Sequence, residues 1–262
     1  MIPVSSLICM GAGAVVGIAF PIALAWWLVK KYNVKPSTIL IGAGVFIVFA
    51  LGLESIGHMV VLKGPHGAAI MGNVWAFALY GGLMAGLFEE TGRFVAMKWL
   101  LRKEPGSTLT GAGYGIGHGG MEMLMLFGVS MIANLVLSAI INSGQEAVLL
   151  GSAPAESAEQ VKAQLAGLET LTPGTIVIGL WERLSALIAQ LGLSLLVWSA
   201  VRRGGKWLWL YPAAIMLHAL IDAIAVVLSK SVGHVYVEIV ICAIAIAIGA
   251  MGWMLAKRNP DS

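Results

Sequence analysis

Residues 5–29, SSLICMGAGAVVGIAFPIALAWWLV, run without a single charged side chain and stop at Lys30-Lys31. About 20 apolar residues are enough to cross the hydrocarbon of a bilayer as a helix. Comparable runs follow at roughly 37–61, 69–97, 109–142, 174–201, 207–229 and 234–256. The breaks between them are polar or basic: Tyr32-Asn33, Lys63-Gly64-Pro65, Arg102-Lys103-Glu104-Pro105, the longer stretch 143–173, Arg202-Arg203-Gly204-Gly205-Lys206 and Ser229-Lys230. The pattern predicts an all-α, polytopic transmembrane helix bundle of about seven spans. Residues 1–262 read as a single integral membrane domain, with 143–173 as an extracytoplasmic connector.

Composition agrees. The chain is 59% hydrophobic and 11% charged, whereas soluble domains carry roughly a quarter charged residues. That excludes a disordered chain, a collagen-like fibre and a nucleic-acid-binding domain. Cys9 and Cys242 both lie in apolar runs, which leaves no disulfide framework or zinc knuckle. The expected location is the cell membrane as a multi-pass protein, in a prokaryote the cytoplasmic membrane.

Basic residues orient a bundle, because Lys and Arg collect on the cytoplasmic side. With the N-terminus outside, Lys30, Lys31, Lys35, Lys98, Arg102, Lys103, Arg202, Arg203, Lys206, Lys257 and Arg258 face inward, and only Lys63, Lys162 and Lys230 face outward. The expected orientation is N-out/C-in. The first span lacks a basic n-region and a small-residue cleavage site, so it reads as an anchor rather than a removed signal. In 143–173, Val161, Leu165 and Leu168 offer the apolar stripe of a short surface helix, while a solvated connector is the simpler and preferred reading.

Ionisable groups inside a span cost several kcal/mol and point to function. This chain has twelve: Glu54, His58, Glu89, Glu90, Arg93, His118, Glu122, Glu182, Arg183, His218, Asp222 and Glu238. At ~1.5 Å per helical residue, Glu89, Glu90, His118 and His218 fall at similar depth in the cytoplasmic half. Glu54, His58 and Glu182 fall near the outer face, as a secondary polar layer, where structural pairing is the simpler role. Arg93 stands i,i+4 from Glu89 and i,i+3 from Glu90, within reach of both carboxylates. His118 and Glu122, and likewise His218 and Asp222, are i,i+4 pairs in which a carboxylate can orient a histidine.

The glycine-rich stretch Gly111–Gly120 contains G-x-G-x-x-G at 115–120. No strand precedes it, so a dinucleotide site fails its context. The glycines instead let helices, or an extended peptide, approach His118 closely. Met121, Met123, Met125 and Met131 read as bundle packing rather than a copper site.

Glu89-Glu90-Thr91-Gly92-Arg93, Gly117-His118-Gly119-Gly120-Met121-Glu122, Trp181-Glu182-Arg183 and His218-Ala219-Leu220-Ile221-Asp222 resemble the motifs of the YhfC family of intramembrane metalloproteases. That family looks like a branch of the CPBP superfamily, which includes the CAAX prenyl endopeptidases. The superfamily pattern of paired glutamates with an arginine, an aromatic four residues before a histidine, and a histidine four before Asn or Asp is met by Glu89-Glu90 with Arg93, Tyr114 with His118, and His218 with Asp222. In the prenyl-protease pattern the arginine stands one residue further on; Phe is usual where Tyr114 stands, and Asn is common at Asp222.

The resemblance implies hydrolysis of peptide bonds in a membrane-embedded or membrane-proximal protein or peptide. Glu89 would be the general base. Glu90 and His118 would hold water or a metal, and His218 would complete the metal set or donate to the oxyanion. Arg93 would fix a glutamate, while Glu122 and Asp222 would orient the histidines. A zinc or other divalent ion on Glu90, His118 and His218 and a metal-free Glu/His site use the same residues, and no organic cofactor is called for. The partners are the substrate chain and the lipid bilayer, not nucleic acid. Buried Glu/His/Asp groups also serve proton- or cation-coupled transporters, the competing class, although the spans show no inverted repeat. A scaffold that had lost activity would be expected to lack at least one of Glu89, Glu90, His118 and His218.

Overall fold

The computed structural model describes residues 1–152 and 155–258; residues 153 and 154 of the connector and 259–262 lie outside the described residues. Among the described residues the chain is helical throughout, without strands. Eight helices organise it: α1 (Val4–Tyr32), α2 (Pro36–Leu62), α3 (Val74–Val95), α4 (Thr108–Asn142), α5 (Ala155–Glu169), α6 (Pro173–Arg203), α7 (Leu210–Ser229) and α8 (His234–Ala256). Backbone groups inside a bilayer must be satisfied within their own segment, which favours this all-helical solution.

Six of these helices (α1, α2, α4, α6, α7 and α8, the last two spans as Gly205–Ser229 and His234–Ala256) are long and apolar enough to cross a membrane, which makes this a multi-pass membrane protein. The expected third span, 69–97, does form a helix, but it starts at Val74 and continues past Val95 in a π-helical turn, Ala96–Leu100. Glu89, Glu90, Arg93 and Lys98 make it less apolar than the six. Its start is fixed by Asn73, whose side chain accepts from the amides of Trp75 and Ala76 at 2.9 and 3.1 Å.

Packing divides the chain into two compact units: 1–20 with 123–183, and 21–122 with 184–262. In the first, Ile2, Met10, Phe127, Met131, Ile141 and Ile176 share an apolar cluster with Leu165 and Leu168 of α5. Of the two readings of 143–173 the described part thus takes the helical one. Leu165 and Leu168 are 7% and 3% exposed because they pack into this cluster rather than facing solvent.

The second unit holds most of the ionisable groups. Its core centres on the C-terminal half of α6, where Leu193, Leu195, Leu196, Val197 and Trp198 are at most 1% exposed. The glycines of α4 explain how tightly it packs. A Cβ on Gly117 would lie 1.9 Å from the Ile39 carbonyl oxygen, and one on Gly42 would lie 2.2 Å from that of Tyr114, so α2 and α4 meet backbone to backbone. Gly111, Gly115 and Gly119 form a row facing Trp198, Leu191 and Gln190 of α6, the small-residue spacing that brings membrane helices together. Both faces are filled by neighbouring helices, so the approach of an extended peptide along these glycines gives way to helix packing. Gly82 and Gly86 do the same for α3 against α7: added Cβ atoms would lie 2.3 and 2.5 Å from the carbonyl oxygens of Ala219 and Ile215.

Candidate active site

These close approaches bring one ionic cluster together inside the second unit. Glu89, Glu90 and Arg93 come from α3, His118 and Glu122 from α4, Gln190 from α6, and His218 and Asp222 from α7. Glu90, Arg93 and His118 are fully buried, and Glu89 and His218 are 6% and 4% exposed. A buried charge is tolerated only when paired and hydrogen-bonded, and the cluster meets that demand across four helices.

Arg93 is the central cation. Its Nη1 donates to Glu90 Oε1, and its Nη2 donates to Glu89 Oε2 at 3.2 Å and to Gln190 Oε1. Each glutamate then holds one histidine. His118 Nε2 lies 2.8 Å from Glu89 Oε2, and His218 Nδ1 lies 2.8 Å from Glu90 Oε1. Adjacent residues on a helix point ~100° apart, so Glu89 reaches α4 while Glu90 reaches α7.

The expected pair of His218 and Asp222 is present as an ion pair at 3.6 Å, longer than a hydrogen bond. Glu90 adds the hydrogen bond to the other ring nitrogen, where Gly82 and Gly86 let α7 settle onto α3. Glu122 likewise accepts from Gln190 Nε2 at 2.6 Å, while His118 is held by Glu89 across the helix interface. Tyr114 stacks on His118 at 6.2 Å between centroids, and Phe46 of α2 meets the same ring edge-on at 5.4 Å.

Gln190 was not foreseen. Its amide joins Arg93, Glu89 and Glu122, yet it stands as a neutral residue in an apolar run, and only its position inside a span marks it.

The donor set does not fit a metal as packed. Glu90 Oε2 and His118 Nδ1 are buried without a hydrogen-bond partner and are of the right chemical type. Catalytic zinc takes three protein ligands, and Nδ1 of His218 is already held by Glu90 at 2.8 Å. Among the described residues no three His, Cys, Asp or Glu side chains are grouped to hold a metal ion. The expected trio of Glu90, His118 and His218 is therefore not assembled as a ligand set. A guanidinium bonded to both glutamates would also repel any divalent cation they ligated.

The secondary layer separates into two parts. Glu182 belongs to the first unit and pairs with Arg183, its neighbour in sequence. Glu54 and His58 belong to the second unit and are bonded at 3.2 Å, with Tyr80 Oη 2.9 Å from the other ring nitrogen. Glu54 stands on α2, whereas the cluster is built from α3, α4, α6 and α7. Its helix is widened by a π-helical turn over Phe46–Glu54, a distortion frequent at functional sites.

Helical spans enclosing a bonded Glu/Arg/His cluster define a polytopic membrane protein with a built polar site. The sequence model of the YhfC intramembrane metalloprotease family matches residues 16–246, and the chain belongs to that family. It is 32% identical over 262 residues to the uncharacterized membrane protein YhfC of Bacillus subtilis (strain 168), with 98% of this chain and 99% of that protein covered. No solved structure matches the chain.

Proposed function

We propose that this protein is an intramembrane endopeptidase that hydrolyses a peptide bond of a membrane-embedded or membrane-proximal chain. The observation that carries the reading is the arrangement around Glu89. Its Oε2 takes hydrogen bonds from Arg93, His118 and Gln190 at 3.2, 2.8 and 3.1 Å. No described group donates to Oε1, and Glu89 keeps 6% exposure beside Arg93 and His118 at 0%. One oxygen is anchored and the other is left to meet water, as a general base requires.

Glu89 Oε1 would take a proton from water as its oxygen attacks the scissile carbonyl carbon. The same carboxyl group would return the proton to the departing amine as the C–N bond breaks. His118, fixed by Glu89, and Arg93, fixed by both glutamates, hold the base in place. His218, held by Glu90, is the candidate donor to the carbonyl oxygen. The likeness of the Glu89-Glu90, His118 and His218 motifs to those of the prenyl endopeptidases supports the same reaction class.

The test is cleavage of a candidate membrane substrate in cells by the wild type, Glu89→Ala and His118→Ala, with bound metal measured on the purified protein. Loss of cleavage in both variants is the expected result; cleavage that survives both overturns the reading.

One observation favours a second reading, a proton- or cation-coupled transporter. Tyr80, His58 and Glu54 are hydrogen-bonded in a row inside the spans, as the groups of a proton relay would be. Proton flux in proteoliposomes that is abolished by Glu54→Gln and kept by Glu89→Gln would put that reading first.

A further inference from the structure

Hydrolysis consumes a water molecule for each bond, yet Glu90, Arg93 and His118 are 0% exposed. Water has to reach Glu89 by a route that apolar packing does not supply. One row of polar groups leads away from the cluster and has no part in the reaction described above. Tyr80 Oη lies 2.9 Å from His58 Nδ1, and His58 Nε2 lies 3.2 Å from Glu54 Oε1. This is consistent with a phenol donating to an imidazole that donates to a carboxylate. The two rings meet edge-on at 5.4 Å between centroids.

Exposure gives the row its meaning. The side chains of His58 and Asp222 are 34% and 41% exposed, although both stand within helical spans. Ionisable groups at such positions face the bundle interior or a water-filled cavity, because lipid contact costs several kcal/mol. His58 is four residues from the end of α2 and Tyr80 six from the start of α3, so they stand ~6 and ~9 Å from the helix ends. Glu89 is fifteen residues from that start, ~22 Å deep. Asp222 ties the row to the cluster: it lies 3.6 Å from His218 Nε2, and the contact of Gly82 with Ala219 sets its helix against α3 near Tyr80.

We infer that Glu54, His58 and Tyr80, together with Asp222 of α7, line a water-filled passage joining the Glu89 cluster to the aqueous phase beside the α2–α3 connection. On the orientation given by the basic residues, that phase is the outer one. Water enters from the side opposite the basic collar, and Glu54 and His58 provide hydrogen-bonding stations along the way. The hydrolytic reading determines only what the water is used for.

The passage is tested by thiol accessibility in proteoliposomes of the full chain, with Cys9 and Cys242 replaced by alanine. Single cysteines replace Glu54, His58 or Tyr80, with Leu79→Cys and Val48→Cys as controls for exposed apolar positions, 57% and 53% exposed. A membrane-impermeant thiosulfonate reacts with the thiolate, which forms in water, so the passage positions should label at least about tenfold faster than the controls. Labelling should come only from the face of the α2–α3 connection. Rates equal to the controls overturn the passage.

Hydroxyl-radical footprinting of the wild type in nanodiscs needs no substitution. Oxidation of Tyr80 and His58 with protection of Met216, 58% exposed, is expected, and the reverse pattern overturns the proposal. Fast labelling in a protein that cleaves nothing sinks the hydrolytic reading and sustains the passage. Slow labelling in one that cleaves sinks the passage alone.

Discussion

Two of the ionic arrangements inside apolar helices of this chain are built on opposite plans. Glu182 and Arg183 are sequence neighbours on α6 that pair with one another, their side chains 47% and 17% exposed. Glu89, Glu90 and Arg93 are fully or almost fully buried and draw His118, Gln190 and His218 from three other helices. The Glu182–Arg183 bond is local, between neighbours on one helix. The second is satisfied only if α3, α4, α6 and α7 meet in one way, so its chemistry and the packing of its unit are a single problem.

Removing the central cation breaks that comparison hardest. Arg93→Met leaves two buried carboxylates without their cation, a loss of about 3–5 kcal/mol for a broken buried pair. Thermal unfolding in detergent should show a steep fall in Tm or failure to accumulate, and a wild-type Tm would contradict the role assigned to Arg93. Glu89→Gln keeps the shape and removes the base. Cleavage should fall by ~10²–10⁴-fold, the usual contribution of a general base, while the variant still folds. Retained cleavage would place the base elsewhere.

Smaller effects test the packing. Gly86→Ala places a Cβ 2.5 Å from the Ile215 carbonyl oxygen, whereas a Cβ on Gly81 meets nothing within 4 Å. Overpacking of this kind costs about 1–3 kcal/mol, and it should weaken cleavage too by moving His218 from Glu90. Gly81→Ala should match the wild type; equal damage in both would show that α3–α7 contact does not position the histidine. Glu182→Gln comes last, with less than about 1 kcal/mol expected from an exposed pair and cleavage unchanged. Damage as large as that of Glu89→Gln would erase the distinction between the two arrangements.

The residues of the cluster were legible in the chain because their spacing is local. Glu89, Glu90 and Arg93 share one helix, and an ionisable group in an apolar run is conspicuous by its cost. Their partners on other helices were not legible. Spacing pairs Asp222 with His218, and the two form an ion pair, but the hydrogen bonds of Glu89 to His118 and of Glu90 to His218 depend on glycine contacts between helices. Gln190 carries no charge and no periodic signal, so nothing along α6 sets it apart. The helical bundle itself followed from the length and apolarity of the runs, except that the acidic third run starts later and is less apolar than the others.

The most direct test of Glu89 as the group that activates water is mass spectrometry of the products formed from a membrane substrate in H₂¹⁸O by the purified wild type and Glu89→Gln. The wild type should place one ¹⁸O in the new carboxyl terminus, and Glu89→Gln should yield almost no product over the same interval. Equal amounts of labelled product from both proteins would contradict the account.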